Sequence, residues 1–284
     1  MLNDCECGNN TSQGKEGAAM LSDYHVHTSF STNCHADMEA VVKKAIELGM
    51  PGICITDHYD MDYPTGEFQL DIDRYIAEVT RVREKYAGQI EVLLGLDMGL
   101  QPQLGERVYS FIHSYPFDYV IGTVHLIDGK DPYFRDQLGM TDTEMFRRYF
   151  ETVLENVRFP RGYQSLGHFD YIVRYAEHGT EEYSYEKYAD IIDEILMELI
   201  NRNIALEVNT AGWRKHFGFP NPHPDIIRRY RNLGGELITI GSNAHHVENV
   251  GSGMNRLKDF LVDAGYHYIT CYRQRKPEMI RIDG

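Results

Sequence analysis

From residue 21 onward, short apolar runs alternate with segments whose apolar positions recur every three or four residues. In MEAVVKKAIELG (38–49), Met38, Val41, Val42, Ala45 and Ile46 share one helical face, with Asp37 placed as N-cap and Gly49 as stop. The run GICIT (52–56) shows no alternation and reads as a strand covered on both faces. The pattern continues with a helix over 71–87, a strand over 90–97, a helix over 104–114 and a strand over 118–125. A helix over 141–158, a strand over 164–168, a helix over 184–201 and a strand over 204–209 follow. A helix after Pro224, a strand over 236–242, a helix over 249–263 and a final strand HYITCYR (267–273) complete the chain. Segments 57–70 and 126–140 read as inserted loops. Strand–helix units repeated about seven times, with unbroken apolar strands, predict an α/β fold around a parallel sheet, closed as a barrel. Residues 21–284 form one domain on this reading. Residues 1–20 are polar, carry Cys5 and Cys7 as C-x-C, and are expected to be a disordered N-terminal tail.

What ends each strand is more informative than the strands themselves: DYHVH, ITDH, GLDM, IGTVH, LGH, LEVN and IGSNAH. In a barrel of this kind the C-terminal strand ends converge on one rim, which carries the active site. His25, His27, His58, Asp97, His125, His168, Glu207, Asn243 and His245 are therefore expected together despite their separation in sequence. Neutral imidazoles with a few carboxylates suit divalent transition metals. His25 and His27, at i and i+2, share one face of an extended strand. One zinc ion takes three or four protein ligands, so this many candidates imply more than one ion, with Asp97 able to bridge two. Multi-metal sites generate a bound hydroxide and neutralise an anionic transition state, which suits phosphate ester hydrolysis.

Composition narrows the partners. Net charge is −15 over 284 residues, which argues against a nucleic-acid binder held by phosphate contacts. Five scattered cysteines do not make a disulfide framework and point to a reducing, cytoplasmic setting. No apolar run reaches the roughly 20 residues of a membrane span, and the first twenty residues lack a signal peptide's apolar core. A phosphate-binding P-loop, a dinucleotide fingerprint and a G-x-S-x-G elbow are all missing from the sequence.

Taken in order, H-x-H-T, T-D-H, G-L-D-M, T-V-H, G-H-x-D, L-E-V-N-T and G-S-N-A-H resemble the PHP superfamily, and within it the histidinol-phosphatase family, over residues 21 to about 273. The resemblance implies a distorted seven-stranded (β/α)7 barrel with a trinuclear metal site occupied by zinc, manganese or iron. One ion would be held by His25, His27, Asp97 and Asn243. A second would share Asp97 and use His125 and His168. A third would use His58, His245 and a ligand six residues after His27. The activity implied is hydrolysis of L-histidinol phosphate to L-histidinol in histidine biosynthesis. Three positions depart from the family pattern: Asp97 stands where Glu is usual, Asn243 where Asp is usual, and Asn33 where Asp or His is common. His35, two residues on, is an alternative ligand, and Asp37 another, beside its reading as a helix N-cap. Two charges are lost at the metals, so two to three ions are expected.

On this reading a metal-bridging hydroxide attacks phosphorus in line, with Asp97, His245 and Arg174 carrying the catalysis. Arg174 is the first choice for a phosphate clamp, because a planar guanidinium matches phosphate. Arg214 and Lys215, just past the strand end LEVN, are further substrate-binding candidates. Asp57, Glu207, Asp170 and Asp23 are expected to orient ligating imidazoles. The competing readings are a phosphatase of the same superfamily acting on a nucleotide or sugar phosphate, an amidohydrolase-like barrel cleaving C–N bonds, and a catalytically weakened metal-binding module.

Overall fold

A computed structural model describes residues 20–159, 162–215 and 217–283. The tail expected over 1–20 lies, Met20 apart, outside the described residues, as do Cys5, Cys7 and His216. The chain runs β1 (Asp23–Val26), α1 (Met38–Glu47), β2 (Gly52–Ile55), β3 (His58–Tyr59), α2 (Ile72–Lys85), β4 (Glu91–Gly99), α3 (Gly105–Ser114) and β5 (Tyr119–Thr123). It continues with α4 (Asp142–Arg158), β6 (Ser165–Leu166), α5 (Ala189–Arg202), β7 (Ala205–Asn209), α6 (Ala211–Arg214), α7 (Pro224–Asn232), β8 (Ile238–Gly241), α8 (Met254–Asp263), β9 (Tyr268–Arg273) and β10 (Lys276–Arg281).

Seven strands lie side by side in the order β1-β2-β4-β5-β6-β7-β8, all parallel, with β3 added beside β4. The barrel nearly closes. Between β1 and β8 the link is a single parallel bridge, Val26 to Ala244, with the His27 amide donating to the Ala244 carbonyl at 2.9 Å. Residues of β1, β2, β5, β6, β7 and β8 are buried throughout, as strands covered on both faces require. The Tyr119 hydroxyl meets Ser165 and, at 3.0 Å, Thr239, so a small polar cluster sits within the otherwise apolar barrel.

Local sequence explains the helix ends. Asp37 caps α1 by accepting from the Ala40 amide at 3.0 Å, and Thr141 with Glu144 forms a full capping box on α4. The helix expected over 249–263 begins only at Met254, because Gly251 and Gly253 adopt φ of +66° and +79° and break the turn before it.

The final strand departs from expectation. β9 is not a barrel strand; it pairs antiparallel with β10, which the sequence pattern did not reveal. This hairpin crosses the N-terminal mouth of the barrel. Tyr24 donates to the Tyr272 carbonyl, Tyr272 stacks on Tyr119 at 5.4 Å, and Arg273 pairs with Glu91. The opposite mouth is left open. Among the described residues no helix is long and apolar enough to cross a membrane.

Candidate metal centre

The open mouth is where β1, β4, β5, β6 and β8 end, and the polar residues predicted there do come together. His25 lies in β1 and His27 just beyond it. Close approach of β8 is possible because Gly241 has no Cβ, which would stand 2.3 Å from that of His25. β3 pairs with β4 so that His58 is the direct partner of Asp97. His168 and Asn243, each two residues past a strand end, hold φ of +53° and +49°. Backbone strain of this kind in non-glycine residues is characteristic of functional sites.

Asp97 is the centre. Its Oδ1 accepts from Thr123 Oγ1 at 2.6 Å. Its Oδ2 is buried without a hydrogen-bond partner and faces His58 Nδ1 at 3.1 Å, His25 Nε2 at 3.4 Å, His168 Nε2 at 3.9 Å and His27 Nε2 at 4.0 Å. His58 Nδ1 and Asn243 Oδ1 are buried and unpartnered as well. Three overlapping sets, His27–His58–His245, His25–His27–Asp97 and His58–Asp97–His125, each bring their ligand atoms within 4.8 Å of one another. Buried polar atoms are ordinarily satisfied. A cluster of unsatisfied imidazole nitrogens and carboxylate oxygens with overlapping triads is therefore a donor set that fits more than one divalent ion.

The outer side of three of the rings is fixed. His25 Nδ1 lies against the Glu207 carboxylate, His125 Nδ1 lies 2.8 Å from Asp60 Oδ1, and His27 Nδ1 lies 3.2 Å from Ser31 Oγ. Ser31 in turn donates to Asp57 Oδ1 at 2.6 Å, and Asp57 also accepts from the Thr28 amide and hydroxyl. With Nδ1 engaged, Nε2 is the nitrogen turned to the centre, the usual arrangement around ligating histidines. Electrostatics follow the same geometry. Burial opposes protonation of His25, but Glu207 outweighs it and the ring is pushed up to about 10. Burial likewise opposes protonation of His125, but Asp60 lifts it to about 9. Burial and neighbouring imidazoles depress His27 and His168, and hold His245 down to about 3. Burial disfavours the Asp97 carboxylate, yet the surrounding imidazoles, His58 foremost, hold it well below the usual carboxylate range.

Other candidates are placed as follows. Arg174 lines the cavity with its guanidinium 4.4 Å over the Tyr171 ring and its Nε buried without a partner. Arg214 donates to the Ser242 and Asn243 carbonyls and to Thr210 Oγ1, so its guanidinium braces the β8 end. Lys215 is exposed. Asn33 is on the cavity rim, and His35 is exposed outside the lining. Asp23 accepts from the Ser242 and Gly251 amides at 2.8 and 3.0 Å. Asp170 was expected to orient an imidazole; instead it holds Asn221, Tyr183 and the His223 amide, tying down a neighbouring loop. Sequence reasoning missed Asp60. No pattern in the sequence marks it; in the structure a Cβ on Gly99 would stand 1.9 Å from Asp60 Oδ1, so the glycine makes room for this carboxylate.

The model of the PHP domain matches residues 23–211. The chain belongs to the PHP domain family. A relative from Clostridium acetobutylicum named "Probable histidinol-phosphatase" is 38% identical over 234 residues, 82% of this chain and 89% of the relative. A histidinol-phosphatase from Lactococcus lactis is 29% identical over 259 residues, 89% of this chain and 95% of the relative. The crystal structure of histidinol phosphate phosphatase from Lactococcus lactis, complexed with zinc, L-histidinol and phosphate, superposes on this PHP domain with a TM-score of 0.82 at 28% identity, covering 92% of this chain and 99% of that one. The nearly closed seven-stranded barrel expected from the sequence is thus the family's fold.

Proposed function

We propose that this PHP domain is a metal-dependent phosphomonoesterase that hydrolyses L-histidinol phosphate to L-histidinol and phosphate. The observation that carries the reading is Asp97 Oδ2, a buried carboxylate oxygen without a donor, facing four imidazoles, two of which, His58 and His168, line a cavity that also holds Arg174. The Lactococcus lactis complex with zinc, L-histidinol and phosphate supports the same substrate and ion class. Two to three ions, zinc, manganese or iron, would be held by His25, His27, His58, Asp97, His125, His168, Asn243 and His245, with Asn33 on the rim. When bound, such ions supply an activated water at neutral pH and offset charge on the phosphoryl oxygens.

The chain's own residues do the rest. Glu207, Asp60 and the Ser31–Asp57 pair fix the ring orientations. Arg174, stacked on Tyr171 and with a free Nε–H, donates to phosphoryl oxygens and orients the ester. The surrounding cavity of about 460 Å³ is of the size that encloses a small ligand. The setting we infer is cytoplasmic, supported by three free, buried cysteines, Cys34, Cys54 and Cys271, and by relatives named for a biosynthetic reaction; the net charge of −15 speaks against nucleic acid as a partner.

The test is phosphate release from L-histidinol phosphate by metal-stripped protein reloaded with zinc, manganese or iron. Metal-dependent release well above that from a generic aryl phosphate is expected. Equal rates on nucleotide or sugar phosphates would move the substrate elsewhere in the superfamily, and no release with any metal would remove the phosphatase reading.

A further inference from the structure

Arg174 is carried by a stretch with little regular structure of its own. Between His168 and α5 the chain makes two short 3-10 turns, Tyr171–Tyr175 and Glu186–Tyr188, and is otherwise irregular. A guanidinium on such a stretch is aimed by whatever ties the backbone on either side of it. On the N-terminal side the tie is Asp170, held by Asn221, Tyr183 and the His223 amide. On the C-terminal side it is a pair of residues from outside the cavity lining, Arg135 and Asp142. Asp142, in the first turn of α4, accepts from the Glu177 amide through Oδ1 and from the His178 amide through Oδ2, each at 3.0 Å. Arg135 pairs with Asp142 Oδ1 at 2.5 Å and donates to the carbonyl of Tyr175, the residue next to Arg174, at 3.1 Å. Burial opposes the charge of Asp142, but the two amides and Arg135 hold its carboxyl below the usual range.

We propose that Arg135 and Asp142 are positioning residues for the phosphate clamp, setting the place of the Arg174 guanidinium in the cavity without touching the substrate. This inference rests on the phosphatase reading above. Among the described residues Arg174 has a stacking partner, Tyr171, but no ion pair, so its place depends on the backbone that carries it. The Arg135–Asp142 pair fixes that backbone and joins it to the 126–140 loop, which brings Tyr133 and Phe134 to the same cavity. Its side chains are 23% and 6% exposed, so the pair is shielded from solvent, whereas the surface pair Arg107–Asp62 stands 59% and 56% exposed. A planar guanidinium can hold a carboxylate and a carbonyl at once; an ammonium in its place offers no such fork. Displacing a group that orients the substrate by about 1 Å is enough to cost up to about 100-fold.

The experiment uses the metal-loaded full chain, L-histidinol phosphate as substrate and inorganic phosphate as inhibitor. The variants are Arg135→Ala, Arg135→Lys, Arg174→Ala and the double variant Arg135→Ala with Arg174→Ala, with metal content measured in each. Arg135→Ala should raise KM and the phosphate inhibition constant together by about 10-fold or more, with metal content unchanged and kcat within about threefold. Arg135→Lys keeps a charge beside Asp142 but not the fork that also reaches the Tyr175 carbonyl, and should fall between; it carries the test if the alanine variant folds poorly. In the Arg174→Ala background, Arg135→Ala should add less than about twofold, because a residue that acts through Arg174 has nothing left to position. A full, additive loss in that background, or an unchanged KM and phosphate inhibition in both single Arg135 variants, would overturn the positioning role and leave the phosphatase reading standing. If Arg174→Ala left KM unchanged, or the unaltered protein released no phosphate with any metal, the clamp itself would fall and the positioning role with it.

Discussion

The two mouths of the barrel carry similar residues and treat them in opposite ways. At the N-terminal mouth, Asp118 accepts from the Leu94 amide at 2.9 Å, the Gln274 amide at 3.1 Å and Arg83 at 2.7 Å, and Glu91 pairs with Arg273 of the hairpin. Each charge there has its donors. At the C-terminal mouth, Asp97 Oδ2, His58 Nδ1, Asp60 Oδ2 and Asn243 Oδ1 are all buried and unpartnered, and two residues of the site hold positive φ. Leaving a buried polar group unsatisfied costs roughly 1–3 kcal/mol. A fold that closes one mouth completely is able to close the other in the same way; that it does not is explained when something else, a cation and its substrate, completes the donor set. Satisfied charge marks the end that holds the barrel together, and unsatisfied charge the end that works.

Removing the central group at each mouth should separate the two roles. Asp97→Ala takes away the one carboxylate that faces four imidazoles. Metal content should fall towards zero and phosphate release by on the order of 10³-fold, since bound ions contribute several kcal/mol to the transition state, while the melting temperature of the metal-free protein holds or rises. Loss of metal-free stability as large as the loss of activity would break the comparison. Asp118→Ala should do the reverse. It leaves two amides without their acceptor and should cost about 2–3 kcal/mol in urea denaturation, with Arg83 contributing little because it is largely exposed. Its kcat should be unchanged, and a fall in kcat beyond twofold with metal content intact would show that the mouths are coupled.

How much of this was legible in the sequence differs between the same two regions. The C-terminal mouth could be read because strand ends have a fixed topological meaning: His25, His58, Asp97, His125, His168 and Asn243 announce themselves by following apolar runs. Glu207 was legible for the same reason. The hairpin at the other mouth was not. Its turn uses Gln274 and Arg275, both at positive φ without a glycine to signal it, and every residue of β10 is exposed, so no alternation appears. Arg214 illustrates a different failure. A cation just past a strand end reads as a phosphate ligand, but its reach is enough to turn back onto the Ser242 and Asn243 carbonyls. Asp60 sits in a segment that reads as a loop, where pattern says nothing about which side chain turns inward.

Asp60 gives the next test in size. It is 3% exposed, orients His125 through one oxygen and has the other free. Carboxylates in this position typically change metal affinity by about 10- to 100-fold. Asp60→Ala should therefore weaken metal retention on dialysis by that factor and lower activity at limiting metal, with much of the activity regained in excess metal. Asp60→Asn, which still accepts from the His125 ring, should fall between. A variant that holds its ions as tightly as the unaltered protein would place Asp60 among the satisfied, structural carboxylates and weaken the contrast between the mouths.

The smallest effect runs in the opposite direction. Asn243 offers a neutral carbonyl oxygen in the cavity that His58, His125, His168 and His245 also line. Its Oδ1 has no donor, and its φ of +49° is a conformation that Asp tolerates about as well as Asn. Asn243→Asp adds a charge without asking the backbone to move. With ions present the added carboxylate lies beside cations and should tighten binding by roughly tenfold, the scale of one charge-assisted contact over a neutral one. Without ions it is one more buried carboxylate near Asp97, so the stripped variant should melt at a lower temperature than the stripped parent. Stabilisation by added metal should therefore be larger in the variant than in the parent. That sign is the discriminating quantity: an imidazole cluster that were only structural would be destabilised by the extra charge whether or not metal was added.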